Sequence, residues 1–130
     1  MHWLQKVLLM GLLGGIPVAA AQSTGLPEVK RTGIEYKSPQ AALEALRAKP
    51  GVTEREENDW VVLEDENTLW SIATVAHPAY PTAVKRAVVE KGGHVFVEMS
   101  VVCGASKEIC DQVVLQFREL NENLRRSFER

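Results

Sequence analysis

Residues 84–103 have the sequence VKRAVVEKGGHVFVEMSVVC, in which two alternating runs flank the pair Gly92-Gly93. β-Branched and apolar residues at every second position are typical of strands, and a two-residue glycine loop is typical of a tight hairpin. Such a turn places Lys91 opposite His94 and fixes the register of every pair behind it. The stretch therefore predicts an antiparallel hairpin at the centre of the fold.

The predicted register divides the hairpin into two faces. One face is apolar and is expected to lie in the core: Val84, Val88, Val95, Val97, Met99 and Val101. The other is mixed: Lys85, Lys91, Glu98 and Ser100 beside Val89, Phe96 and Val102.

Alternation of the same kind extends upstream and predicts five strands, at 52–56, 60–65, 68–76, 83–91 and 94–103. Short connections at 58–59, 66–67 and 92–93 favour antiparallel neighbours, while 77–81 forms a longer link. The turn at 66–67 groups the second and third strands into two sides: Val61, Leu63, Trp70 and Ile72 on one, and Trp60, Val62, Leu69 and Ser71 on the other.

Two helices flank the strands. Ser38 before Pro39 is typical of a helix start, and Pro50-Gly51 ends this short helix. A long helix is expected from near Ser106 almost to the end, with one apolar stripe that should be core: Ile109, Val113, Phe117, Leu120, Leu124 and Phe128. We therefore predict an α+β fold: a two-layer domain over 38–130, with a four- to five-stranded antiparallel sheet and both helices packed on it.

The first residues predict export. Lys6 precedes the apolar run 7–16, which is about half of the roughly 20 residues that span a bilayer. Ala19 and Ala21 are the small residues of a cleavage site, so 1–21 is predicted to be a signal peptide cut before Gln22. An uncleaved anchor or a buried N-terminal helix are the alternatives. Residues 22–37 are predicted to form a flexible arm, and the mature protein is expected in the periplasm or secreted, with no stable membrane anchor.

The two cysteines fit that compartment. Cys103 ends the last strand on the core side, and Cys110 lies near the start of the long helix. In an exported chain this pattern favours a disulfide, which contributes about 2.5 kcal/mol for so short a loop. A redox thiol at the helix N-terminus is the alternative.

Charge and motifs exclude several classes of function. The chain has a formal net charge of −2, and seven acidic residues crowd 54–66, so no nucleic-acid partner is expected. The chain has no Gly-rich phosphate loop, nucleophile elbow or helical zinc-histidine pair. We predict no cofactor and no metal, and we assign no catalytic residue.

Two places are candidates for function. The segment His77-Pro78-Ala79-Tyr80-Pro81 sets an imidazole and a phenol in a stiff loop, although a rigid crossover whose Tyr80 packs at the edge of the sheet is the favoured explanation. The mixed sheet face is the second candidate, a binding surface around Trp60, Val62 and Phe96 unless the first helix or the arm covers it. A metal site at His77, His94 and Glu98 has no recognised ligand spacing.

The chain from Tyr36 onward resembles a group of small exported bacterial proteins of uncharacterised function. The resemblance is carried by His77-Pro78-Ala79-Tyr80-Pro81, by Val84-Lys85-Arg86 and by the late cysteines Cys103 and Cys110. Such proteins are sometimes labelled DnaJ-like, but a J-domain has His-Pro-Asp between two helices, whereas His77-Pro78-Ala79 lies between two strands. The resemblance implies export and the domain boundary, and it implies no activity.

These observations lead to one functional expectation and one alternative. We expect a small exported binding or interaction module, with a protein partner or self-association, and an inhibitor or immunity-type protein is one form of it. The alternative is a small exported enzyme that uses His77 and Tyr80.

Overall fold

The computed structural model describes residues 33–129, so the predicted signal peptide, 1–21, and residues 22–32 of the predicted arm lie outside the described residues. The elements follow in the order α1 (Pro39–Arg47), β1 (Thr53–Glu57), β2 (Trp60–Asp65), β3 (Thr68–Ala73), β4 (Thr82–Lys91), β5 (His94–Cys103) and α2 (Lys107–Ser127).

The five strands form one antiparallel sheet in the order β1-β2-β3-β4-β5, so every strand pairs with its neighbour in sequence. The predicted register at the glycine turn is confirmed, because Lys91 lies opposite His94. The third strand is shorter than predicted and ends at Ala73. After it the Thr74 N–H donates to the Asp59 carbonyl, 3.0 Å away, and the chain leaves the sheet for an eight-residue link, 74–81.

The helices lie on opposite faces of the sheet. We call the face under α1 the α1 face, whose buried residues are Ala42, Leu46, Val61, Leu63, Trp70, Ile72 and Ala83. The α2 face is packed by α2, with buried Trp60, Val62, Ala73, Ala79, Val84, Met99, Val101, Val113, Val114 and Phe117. The α+β class and the antiparallel sheet with its two helices are confirmed. The predicted two layers are wrong, because the helices cover opposite faces of the sheet and the domain has three layers.

Both helices begin as the sequence predicts. The Ser38 hydroxyl accepts a hydrogen bond from the Ala41 N–H at 3.0 Å, and the Ser106 hydroxyl accepts one from the Ile109 N–H at 3.3 Å. These caps satisfy amide groups that a helix start otherwise leaves unpaired.

The apolar stripe of α2 is core over only part of its length. Val113 and Phe117 are buried, but Leu120 is 42 % exposed and Phe128 is 53 % exposed. The prediction that the whole stripe is core is wrong for these two residues. Val88, Val95 and Val97, beneath the C-terminal half of α2, are accordingly only half-buried.

Residues just before α1 contact the sheet. Tyr36 packs against Trp70 with ring centres 5.5 Å apart, and the Lys85 ammonium pairs with the Glu35 carboxylate at 3.0 Å. The Lys85 ammonium also donates to the Gly33 carbonyl at 3.1 Å. The part of the predicted arm that is described, residues 33–37, therefore belongs to the folded domain.

The predicted disulfide is confirmed. Cys103 and Cys110 are bonded, with Cα atoms 5.9 Å apart. The bond ties the end of β5 to the first turns of α2, so it holds the helix at the place where it meets the sheet.

Candidate binding surface

Trp60 and Val62 belong to the core, and the prediction that they share an open face with Phe96 is wrong. Trp60 is 5 % exposed and packs edge-on against Phe117 of α2, with ring centres 5.2 Å apart. Residues that pair across neighbouring strands point to the same face of a sheet. Val62 pairs with Ser71, and Ser71 pairs with Val84, so Val62 lies on the α2 face with Val84. Phe96 points to the other face.

The reason for this error is the link between β3 and β4. Each two-residue turn fixes the register within its own hairpin, but an eight-residue link carries no such constraint. The predicted alignment of the two hairpins is therefore out of step by one residue, and Trp60 and Val62 share a face with Val84 and not with Phe96.

His77 holds the link against the core. Its Nδ1 accepts a hydrogen bond from the Ala79 N–H at 2.9 Å, and its ring lies 4.3 Å from the Trp60 ring. Ala79 is fully buried, and its carbonyl accepts a bond from the Thr82 hydroxyl at 2.5 Å. Tyr80 is 45 % exposed and lines a groove beside α1. The imidazole and the phenol thus have different surroundings: the half-buried imidazole packs against Trp60 at the margin of the core, and the phenol borders solvent.

The two histidines of the possible metal site lie toward opposite ends of the sheet, His94 in β5 and His77 in the link 74–81. His94 follows the glycine turn, so it lies at the end of the sheet where β4 passes into β5. His77 packs near Trp60. Trp60 pairs with Ala73, the last residue of β3, and lies at the opposite end of the sheet. Among residues 33–129, no group of three His, Cys, Asp or Glu side chains is placed to hold a metal ion.

One edge of the sheet is a long strand with unpaired backbone groups. The Gly104 N–H donates to the Pro81 carbonyl at 2.7 Å, and hydrogen-bonded pairs alternate along an antiparallel ladder. Even-numbered residues of β5 therefore bond to β4, and the odd-numbered ones direct their N–H and C=O groups outward: Val95, Val97, Met99 and Val101. Within the described residues no backbone bond between elements reaches these outward groups.

The opposite edge is different in chemistry. β1 has the sequence TEREE, and all five of its residues are exposed. Charged side chains on an edge strand discourage pairing with another chain, and β1 is short as well. β5 is twice as long and carries one acidic residue, Glu98, among mainly apolar neighbours. Among residues 33–129 the sheet therefore has one protected edge, β1, and one open edge, β5, to which no further strand is bonded.

A groove runs beside the open edge. It encloses about 680 Å³ between β5, at Phe96 and Val97, and the outer side of α2, at Leu115, Arg118 and Glu122. Phe96 is 45 % exposed and Leu115 is 55 % exposed. Apolar side chains exposed beside an unpaired strand edge are features of sites that add a strand from another chain.

Sequence reasoning found Phe96 and missed the rest of this surface. The parity that Val97 shares with Val101 predicts a core residue, yet Val97 is half-buried and borders the groove beside α2. Leu115 lies off the apolar stripe of α2, and an apolar residue on the outer side of an amphipathic helix was the signal that could have identified it.

Arg86 is an unusual residue in the core beneath α2. It is 9 % exposed, its guanidinium lies 5.0 Å from the centre of the Phe117 ring, and Nη1 donates to the Asn121 side-chain oxygen at 3.3 Å. Its Nε has no hydrogen-bond partner within the described residues. Burial lowers the pKa of Arg86, and the nearby charge of Arg55 lowers it further.

No family model, curated protein or solved structure matches this chain. None of the helices within residues 33–129 has the length and apolar character needed to cross a bilayer.

Proposed function

We propose that this protein is a small exported interaction module that binds another polypeptide chain by strand addition along the open edge of β5. The observation that carries the proposal is the contrast between the two sheet edges. β1 is short and charged, whereas β5 is long, mainly apolar and directs the backbone groups of four residues outward.

The groove beside β5 supports this mode of binding. An added strand would bond to the outward groups of Val95 and Val97, while its side chains would alternate between Phe96 on one side and Leu115 on the other. In strand addition the main-chain bonds supply affinity, and the pockets for alternate side chains supply specificity.

Export supports the same proposal from the sequence. A disulfide persists in oxidising compartments, and the Cys103–Cys110 bond fits a periplasmic or secreted protein. Intact-mass measurement of the exported protein should give a chain that starts at Gln22. Recovery of the full-length chain from the membrane fraction would contradict this part of the proposal.

A site-specific photo-crosslink tests the surface. Phe96 is replaced by benzoylphenylalanine in the exported protein, cells are irradiated, and adducts are identified by mass spectrometry. We expect a discrete adduct with a defined polypeptide. We also expect Val97→Pro to abolish it, because proline removes an outward N–H and obstructs the ladder.

The matched control is Tyr80, which is aromatic and has the same 45 % exposure. Benzoylphenylalanine at Tyr80 should not give the adduct. Equal crosslinking from Tyr80 and Phe96, or an adduct that survives Val97→Pro in a folded protein, would show that β5 is not the contact.

A further inference from the structure

The side chains of β5 are complementary to those of β5 in a second copy of the protein, when the two strands run antiparallel. A symmetric antiparallel pair of β5 strands has a two-fold axis that passes between one residue and the same residue of the second copy. The hydrogen-bonded pairs across this new ladder must join odd-numbered residues, because these direct their backbone N–H and C=O groups outward. An axis at Phe96 meets this condition, because it places Val95 opposite Val97 of the second copy. It also places His94 opposite Glu98 of the second copy, on both sides of the axis.

We propose that the chain bound at the β5 edge is a second copy of this protein, joined antiparallel about Phe96 into a continuous ten-stranded sheet. The proposal rests on the proposed function and names its partner. Three contacts support it: a Phe96 pair at the axis, two valine pairs beside it, and two pairs of His94 with Glu98. Aromatic pairs stabilise neighbouring strands, apolar pairs bury surface, and a histidine N–H can donate a hydrogen bond to a carboxylate.

Neighbouring registers are worse. An axis at Glu98 would place two carboxylates directly opposite each other, which disfavours pairing. An axis at Val97 would place each Phe96 opposite a Glu98 and leave both carboxylates without a polar partner across the new ladder. The axis at Phe96 is the register that separates the acidic residues and joins the aromatic ones.

The wall of the groove is compatible with a second copy. The side of α2 that borders it carries both signs of charge, with Arg118 and Arg126 beside Glu119 and Glu122. A surface of one sign would repel its own copy, whereas a mixed surface does not.

Sedimentation velocity of the purified mature protein over a wide concentration series tests self-association. We expect the mass to rise from one chain to two. Phe96→Lys should keep the protein monomeric throughout, because two ammonium groups would meet at the axis. Tyr80→Lys, at equal exposure, should leave association unchanged, and circular dichroism checks that both variants fold.

A charge exchange tests the register. His94→Glu should weaken association at least tenfold, since it places two carboxylates opposite each other at both ends. Adding Glu98→Lys to this variant should restore most of the loss. Failure of the second change to rescue the first, in folded proteins, would overturn the register.

Cysteine crosslinking tests the axis without a destabilising charge. Phe96→Cys should form a disulfide-linked dimer under mild oxidation, because residues in a non-hydrogen-bonded pair have Cα atoms about 4.5 Å apart, within the range that a disulfide bridges. Val97→Cys should form far less, since its partner in this register is Val95.

The outcomes separate this inference from the proposed function. A wild-type protein that stays monomeric at every concentration, with no Phe96→Cys dimer, overturns self-association. If the photo-crosslink at Phe96 then captures a different polypeptide, strand addition at β5 stands and only the identity of the partner is wrong. Dimers that persist in Phe96→Lys and Val97→Pro overturn both.

Discussion

Replacing Arg86 by methionine should leave the protein equally stable or make it more stable. Moving an ionised group out of water costs several kcal/mol, and Arg86 is 9 % exposed. The Asn121 bond returns about 1.5 to 3 kcal/mol and the Phe117 contact about 1 kcal/mol. The unpartnered Nε costs about 1 to 3 kcal/mol. The costs equal or exceed the returns, so an apolar side chain of similar length should change the free energy of unfolding by between 0 and about +3 kcal/mol.

Urea denaturation followed by tryptophan fluorescence measures this change. The matched variant is Asn121→Ala, which removes the side-chain oxygen that accepts the hydrogen bond from the Arg86 guanidinium. The guanidinium then stays buried without this acceptor, and the free energy of unfolding should fall by about 2 kcal/mol. In the Arg86→Met background the same Asn121→Ala change should cost less than half as much, because the charged donor is gone. A loss of more than about 2 kcal/mol in Arg86→Met itself would refute the reasoning and show that the buried guanidinium is a net stabilising group.

Three further changes have defined outcomes. Trp60→Ala should lower the free energy of unfolding by about 3 to 5 kcal/mol, because it empties a core site, and a loss below about 1 kcal/mol in urea denaturation would contradict its burial. Replacing Cys103 and Cys110 together by serine should cost about 2.5 kcal/mol in the same assay, and an unchanged midpoint would show that the bond does not stabilise the fold. The hydrogen bond from Arg47 lowers the pKa of Glu54, so Arg47→Met should raise that pKa toward its ordinary value in an NMR titration. Because the folded-state pKa is the lower one, the stabilisation from this pair is present above the unfolded pKa and is lost as pH falls through the folded pKa. A pKa of Glu54 that does not move would show that the pair does not form in solution.

The local parts of the fold could be predicted because each has a short-range physical cause. Gly92 and Gly93 both adopt positive φ, which glycine allows freely, so this turn and its register followed from two residues. Ser38 and Ser106 cap the helices through their own hydroxyl groups. The cysteine pair followed from strand parity and the proximity of a helix start.

The arrangement between these parts could not be predicted in the same way. Whether Trp60 shares a face with Phe96 depends on how link 74–81 joins two hairpins, and that path is set by contacts of His77 and Ala79 in the folded core. The open edge was missed for a related reason. Alternation along β5 is the same whether the strand has one neighbour or two, so the sequence pattern alone does not distinguish an edge from the centre of a sheet.

The order of elements along the chain means that the two faces of the sheet gain their covering helices at different times as the chain is made. Each strand pairs with the one made just before it, so the sheet can grow strand by strand with little loop-closure cost. The α1 face receives its cover at once, because α1 is made before the strands it packs on. The α2 face, with Trp60, Val62 and Val84, has no cover until the last helix emerges. A chain that lacks residues 107–127 would therefore keep all five strands but leave the apolar α2 face without its helix.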